Sequence, residues 1–399
     1  MNRLKIYGMM MLGAVLWLTS CTSEDATKEV APQETIAISF GCNYDDEEED
    51  ITKNTTRAGY EGAMNTEDLY TTGFGAMASV TAGTPPTYDN KPNLMYNQEV
   101  EYTHVGDMEN PLTGYWSYQP VKYWPTDLTH CYISAYAPYQ ELPIDGSGTG
   151  IIGLSTNSEA PYVDYRRCDN PQNVVDLLWY YEEPGSIPAA GKLAMKMRHA
   201  LARLELKVAL AAAPASGTKV LIEKITLTGK MAKTGRLSLC SQTTVIENEG
   251  TEDEVTKYYP VWSDQEFDKD GGGDDTDHII QIKNEDNAPE SYGIIDSQVR
   301  YIPGLPYAWQ PAGLKVYDAE VEGKNYLNAL STGDRIGYIY LIPQTTLSLK
   351  LNVKYHKVTS GSDVPGEKSI DASPVKTPIS ISPLYGNKTY TLTIRLSEI

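Results

Sequence analysis

Basic residues are the first shortage. Lysine and arginine together number 33 against 53 aspartates and glutamates, a formal net charge of −20 over 399 residues. A chain so acidic carries no electrostatic footprint for a phosphodiester backbone, so nucleic acid is excluded as a partner class. Histidine is scarce too: five residues, His104, His130, His199, His278 and His356, lie without HExxH or other close metal-ligand spacing. The five cysteines are irregularly spaced and form no CxxC pair. Neither a disulfide framework nor a thiolate metal site follows, and Cys42, Cys131, Cys168 and Cys240 are expected as buried free thiols. No GxSxG nucleophile elbow and no phosphate-binding Walker loop occurs. No helical period persists over ten residues, and no apolar run approaches the roughly 20 residues that a membrane-spanning helix needs. The sequence reads as non-enzymatic, without metal or cofactor. Disorder is excluded as well, because hydrophobic residues make up 41% and charged ones only 22%.

The amino terminus is directional. Arg3 and Lys5 precede an apolar stretch from Met9 to Leu18, too short to span a bilayer and of the length of an export signal. Leu18-Thr19-Ser20-Cys21 resembles a bacterial lipobox, in which Cys21 receives a diacylglycerol on its sulfur and becomes the new amino terminus. Residues 1–20 are therefore expected to be a signal peptide and the mature chain to be tethered by acyl chains to the outer membrane. Residues 21–57 read as a leader with a first strand, Ile36-Ala37-Ile38-Ser39-Phe40, whose alternation is that of a half-buried strand. Six consecutive carboxylates, Asp45 to Asp50, then mark a solvated loop that runs on to Arg57-Ala58. Two readings stand for that loop: a plain connector, or a site where a trypsin-like protease cuts between Arg57 and Ala58.

Beyond the loop, short β-like segments recur between turn signals. Two are clearest. Leu347, Leu349, Leu351, Val353 and Tyr355 share one face against Ser348, Lys350, Asn352 and Lys354, and Tyr390, Leu392, Ile394 and Leu396 oppose Thr391, Thr393 and Arg395. Such strands have one wet face, as an antiparallel sandwich requires. The Glu, Pro, Gly and Ser composition of residues 182–191 reads as a linker, which divides the chain into domains at 58–188 and 189–399. The predicted class is all-β.

Other motifs have plainer explanations than chemistry. Gly148-Thr149-Gly150-Ile151-Ile152-Gly153 has the glycine pattern of a dinucleotide loop but no helix after it to receive a phosphate. In the acidic segment Asp268 to Asp277, Gly272 and Ile279 stand where a calcium loop needs oxygen ligands, so a solvated hairpin is expected. His199, beside an apolar strand, reads as a fold-specific histidine rather than a catalytic base. Trp116, Trp124, Trp179, Trp262 and Trp309 are expected to fill cores. With 29 tyrosines against 3 phenylalanines, many hydroxyls must reach the surface, which suits adhesive contacts with host protein or glycan.

A set of segments in order resembles the fimbrillin family of Bacteroides-group bacteria. It comprises Thr56-Arg57-Ala58, Thr72-Gly73-Phe74-Gly75, Tyr96-Asn97-Gln98-Glu99-Val100, Trp116-Ser117-Tyr118, Lys122-Tyr123-Trp124-Pro125 and Ser134-Ala135-Tyr136-Ala137-Pro138-Tyr139. Met197-Arg198-His199-Ala200-Leu201-Ala202-Arg203, Ile342-Pro343-Gln344-Thr345 and the closing strand continue it. The resemblance implies two tandem transthyretin-like antiparallel β-sandwich domains in a surface pilus subunit, a fimbrium component. It also implies cleavage after Arg57, loss of the strand bearing Ile36, Ile38 and Phe40, and insertion of a strand from another subunit into the groove left behind. The chain ends three residues after Leu396, so a tip or accessory subunit that accepts a strand without donating one is as consistent with the sequence as a shaft subunit. The competing readings are a stand-alone glycan-binding lipoprotein using exposed tryptophans and a carbohydrate-active enzyme on a β scaffold.

Overall fold

The computed structural model describes residues 36–44, 64, 66–80, 91–105, 114–126, 131–168, 175–210, 218–283, 334–359, 362–370 and 379–396. Among these the fold is almost entirely β, with one short α-helix, α1 (Thr66–Thr72), a single 3-10 turn at Ala189–Gly191, and strands numbered in chain order. A seven-stranded sheet runs, from edge to edge, β1 (Ser39–Tyr44), β9 (Lys192–His199), β8 (Leu178–Glu182), β5 (Cys131–Ala137), β2 (Phe74–Val80), β3 (Met95–His104) and β4 (Gly114–Ser117). A four-stranded sheet orders β13 (Val255–Glu266), β12 (Thr234–Glu247), β7 (Tyr162–Arg166) and β6 (Gly150–Leu154). A three-stranded sheet orders β15 (Asp334–Leu341), β10 (Ala202–Leu210) and β19 (Thr389–Leu396). The fourth sheet orders β14 (His278–Lys283), β11 (Thr218–Gly229), β16 (Leu347–Thr359) and β17 (Ser362–Ile370), with β18 (Ile379–Ile381) also pairing to β16.

Two apolar cores lie on opposite faces of the seven-stranded sheet. Alternation decides which side chain joins which. Phe74, Ala76 and Ala78 of β2, Ile133 and Ala135 of β5, Leu178 and Tyr180 of β8, and Leu193, Met195 and Met197 of β9 pack into the first core. Met77, Tyr136 and Trp179, from the same strands but the opposite face, join the second with Val163, Tyr165, Leu237, Leu239, Leu347, Leu349 and Leu351. A sheet covered on both faces loses the wet side of its strands, which is why β2 and β5 read as nearly continuous apolar runs.

The structure departs from the sequence reading in two respects. Expected as antiparallel sandwiches, it contains two parallel pairs among the described residues, β1 with β9 and β10 with β19. Parallel neighbours cannot be joined by a tight turn, and in each case the partners lie far apart in sequence. Residues 182–191, read as a linker, run from the last residue of β8 to the start of β9 inside one sheet, and strands from both sides of residue 188 share the seven-stranded and four-stranded sheets. Proline and glycine mark a turn, and a turn joins neighbouring strands as readily as it separates domains.

Candidate functional site

The first strand occupies a distinctive position. Along one edge β1 is in parallel register with β9, from Ser39 opposite Lys192 to Tyr44 opposite Met197. Its other side meets the segment after β4: the Ile38 amide donates to the Lys122 carbonyl at 2.9 Å, and the Trp124 amide donates to the Ile36 carbonyl at 2.9 Å. Tyr118 donates its hydroxyl to the Ile38 carbonyl at 2.9 Å, and Trp116 donates its indole N–H to the Cys42 carbonyl at 3.3 Å. The chain from Ile36 to Tyr44 thus bridges the two ends of the seven-stranded sheet and rolls it around the first core.

Inside the roll, Ile38 and Phe40 are 2% and 3% exposed, and Cys42 is buried beside them. The Phe40 ring meets Phe74 edge to face with centroids 5.5 Å apart, and Tyr118 lies at the same centroid distance. Burial of side chains this size stabilises by about 1.5–3 kcal/mol each. Ile36 differs from the sequence expectation. It is 38% exposed, because it precedes β1 at the mouth of the roll, where its side chain rests against Gly191 and its backbone is bonded to Trp124. Gly191 makes the close approach there possible: its φ is +70°, and a Cβ would fall 2.4 Å from the Ala37 carbonyl oxygen. Its own carbonyl accepts the Trp124 indole N–H at 2.9 Å.

Sequence reasoning missed the anchor on the far side of the Arg57 loop. Met64 is buried, and its amide donates to the carboxylate of Asp176 at 2.9 Å. Asp176 also accepts the Leu177 amide at 2.9 Å and stands 2.6 Å from His199 Nδ1. Burial, only partly offset by those two amides and by Arg203, pushes the Asp176 carboxyl up to about 7. Burial, reinforced by Arg203, draws the His199 imidazole down to about 3. The contact therefore holds one proton between two groups that both resist charge. An isolated aspartate before a strand gives no signal of this in the sequence.

The remaining candidates fall as follows. Cys21, Arg57, Ala58 and Trp309 lie outside the described residues. Trp124 and Trp179 are buried, and Trp262 is half-buried with its indole N–H donating to the Ala200 carbonyl at 3.1 Å. Cys42 and Cys131 are buried free thiols, whereas Cys168 and Cys240 are half-buried and also free. Gly150 to Leu154 is strand β6, antiparallel to β7. In the acidic hairpin, the Asp270 carboxylate accepts the amides of Gly272 and Asp274 from its own turn.

A family model described as fimbrillin-like matches residues 56–267, just over half of the sequence. The chain belongs to the fimbrillin-like family. Among solved structures, a fimbrial protein from Bacteroides vulgatus matches this fimbrillin-like chain at 19% identity, covering 90% of this chain and 95% of that one with a TM-score of 0.52, which establishes a shared fold. A candidate cell adhesion protein from Bacteroides uniformis matches at 12% identity over 90% of this chain and 94% of that one, with a TM-score of 0.37. No curated protein matches the chain.

Proposed function

We propose that this fimbrillin-like chain is a non-enzymatic pilus subunit, exported as a lipoprotein anchored in the outer membrane through Cys21 and assembled at the surface into a fimbrium with an adhesive role. A trypsin-like protease cuts between Arg57 and Ala58, the segment bearing Ile36, Ile38 and Phe40 leaves, and a strand from another subunit takes its place. The partners are then other pilus subunits, the processing protease, and host protein or glycan at the exposed end.

The observation that carries this reading is the double bonding of the β1 segment, to β9 on one side and to Lys122 and Trp124 on the other, with Ile38 and Phe40 turned into the core. Its departure would leave unpaired backbone groups along two flanks of an apolar slot. Such an edge accepts another strand, main-chain bonds giving affinity and side-chain pockets giving specificity. The Asp176 anchor at Met64 favours the same reading, because it holds the chain downstream of Arg57 in place independently of β1.

Low-dose trypsin on the folded chain tests it. The cut chain is expected to release residues 21–57 and to bind a donor-strand peptide or oligomerise, while Arg57→Ala stays monomeric under the same protease. A cut chain that keeps β1, stays monomeric and refuses every donor peptide would overturn strand exchange. Cys21→Ala tests the anchor separately: lipid labelling should vanish and the chain should leave the membrane fraction.

A further inference from the structure

A strand lying between β9 and the segment after β4 is held first by its main chain. In β1 the Ile36 carbonyl accepts the Trp124 amide, the Ile38 amide donates to the Lys122 carbonyl, and Ala37 pairs antiparallel with Tyr123. The Tyr118 hydroxyl and the Trp116 indole donate to the Ile38 and Cys42 carbonyls. None of these bonds reads a side chain of the strand. They fix its direction, parallel to β9 and antiparallel to the chain at Tyr123, and leave selection to its two faces.

The inner face follows a pattern of size. Ile38, Phe40 and Cys42 are all buried in the first core. The middle position is an aromatic pocket, walled by Phe74 and Tyr118. The third holds only a thiol, and a close-packed site resists larger replacements. The slot therefore accepts an aliphatic, an aromatic and a small side chain at positions i, i+2 and i+4.

The outer face is defined by a charge. Burial alternates along β9, and Lys192 is on its exposed side. In register it stands opposite Ser39, but its side chain leans along the strand to Gly41: a Cβ added there would fall 2.5 Å from the Lys192 Cε and 3.3 Å from its Nζ. Those atoms end a flexible, exposed side chain, so a residue larger than glycine shifts the ammonium slightly and remains beside it. Nothing on β1 answers this cation. The Ser39 hydroxyl donates to the Gly191 carbonyl at 3.4 Å, and Gly41 has no side chain. Among the described residues no carboxylate forms an ion pair with Lys192. In a chain of net charge −20, an ammonium without a counter-ion over the one outward position lacking a side chain is complementary to a carboxylate that arrives on another strand.

We propose that the slot selects a partner subunit's strand that runs parallel to β9, presents aliphatic, aromatic and small side chains inward, and carries Asp or Glu at the outward position between the aromatic and the small one. The carboxylate pairs with Lys192 and gives the incoming strand an ion pair that β1 does not make. The inference rests on the strand exchange of the proposed function for the partner's arrival, whereas the charge preference belongs to the slot itself and is measurable without exchange.

The test uses synthetic peptides of residues 36–44 carrying Gly41→Asp, Gly41→Asn or Gly41→Lys, offered to the trypsin-cut full chain and read by fluorescence polarisation. The Gly41→Asp peptide should bind about threefold more tightly than the Gly41→Asn peptide, the worth of one exposed ion pair, and the Gly41→Lys peptide more weakly than either. The advantage should vanish in about 1 M salt and against a Lys192→Gln chain, and the Gly41→Asp peptide with its residue order reversed should bind worse. Equal binding of the Asp and Asn peptides, an advantage that survives Lys192→Gln, or equal binding of the reversed peptide overturns the proposal. If the cut chain binds no peptide, strand exchange itself fails and the uncut chain decides the charge preference. There Gly41→Asp should exceed Gly41→Asn by about threefold in the folding equilibrium constant from urea unfolding, with the gap closed by Lys192→Gln. Absence of that gap overturns the proposal.

Discussion

Asp176 and His199 face each other at 2.6 Å in the interior, the carboxylate fully buried and the imidazole 12% exposed. Burial raises the Asp176 carboxyl from 3.8 to about 7 and lowers the His199 imidazole from 6.5 to about 3. The two shifts act in opposite directions on stability. Between about pH 4 and 7 the folded Asp176 keeps a proton that the unfolded one has lost, which lowers stability as pH rises. Between about pH 3 and 6.5 the unfolded His199 binds a proton that the folded one refuses, which raises stability as pH rises. From about pH 4 to 6.5 the two slopes cancel, and the native pair carries a single proton throughout.

That cancellation predicts the behaviour of His199→Gln. The variant loses the imidazole term and keeps the carboxyl term, so its stability relative to the parent should improve as pH falls from 6.5 toward 4. The slope is at most about 1.4 kcal/mol per pH unit. Urea unfolding of parent and variant at several pH values in that window measures the difference. A difference that does not change with pH would show that His199 is not held neutral by the fold.

The first strand makes a graded prediction. Phe40→Ala removes a buried ring packed on Phe74 and Tyr118 and should destabilise by about 3–5 kcal/mol. Ile36→Ala should cost less than about 1 kcal/mol, because that side chain is 38% exposed. Thermal unfolding distinguishes them, and equal costs would contradict the burial at the mouth of the roll.

Gly191→Ala addresses the same closure from the other side. At φ +70° a side chain is strained, and the added methyl would meet the Ala37 carbonyl oxygen. Loss of that approach should free the Ile38 amide from Lys122. Hydrogen exchange at Ile38 should therefore quicken while exchange in β5 and β8 is preserved.

What the sequence revealed and what it concealed divide along physical lines. Alternation at Leu347, Leu349 and Leu351 is a local property, and all three residues are buried where the period placed them, with Lys350 exposed between them. Leu351→Asp should accordingly destabilise severely by burying an unpaired charge, and Lys350→Asp should do little. Pairing is not local. Nothing in Ser39 to Tyr44 indicates that its neighbour will be Lys192 to Met197, about 150 residues later and parallel. The roll and the Asp176 anchor depend on such distant contacts. The family resemblance pointed to the segment from Ile36 to Phe40 as a unit, and the structure seats its Ile38 and Phe40 in the first core.

Cys42 offers a direct reporter of that strand. It is 2% exposed on the inner face of β1, and burial alone raises its thiol well above the ordinary range, so little thiolate forms near neutral pH. Cys131 in β5 is also buried, with its thiol pushed up to about 11. In the intact chain both should resist maleimide at pH 7.5, while the half-buried Cys168 and Cys240 react first. If β1 is displaced by a competing donor-strand peptide, Cys42 leaves the core with it and regains an ordinary thiol acidity. Cys131 stays within β5, paired between β2 and β8. Peptide mapping of the labelled chain should then show Cys42 becoming modified at least about tenfold faster, as expected for a thiol regaining one or more pH units of acidity, with Cys131 slow throughout. Equal acceleration at both cysteines would mean general unfolding instead of strand release, and unchanged protection of Cys42 in the peptide-bound chain would show that β1 never leaves the roll.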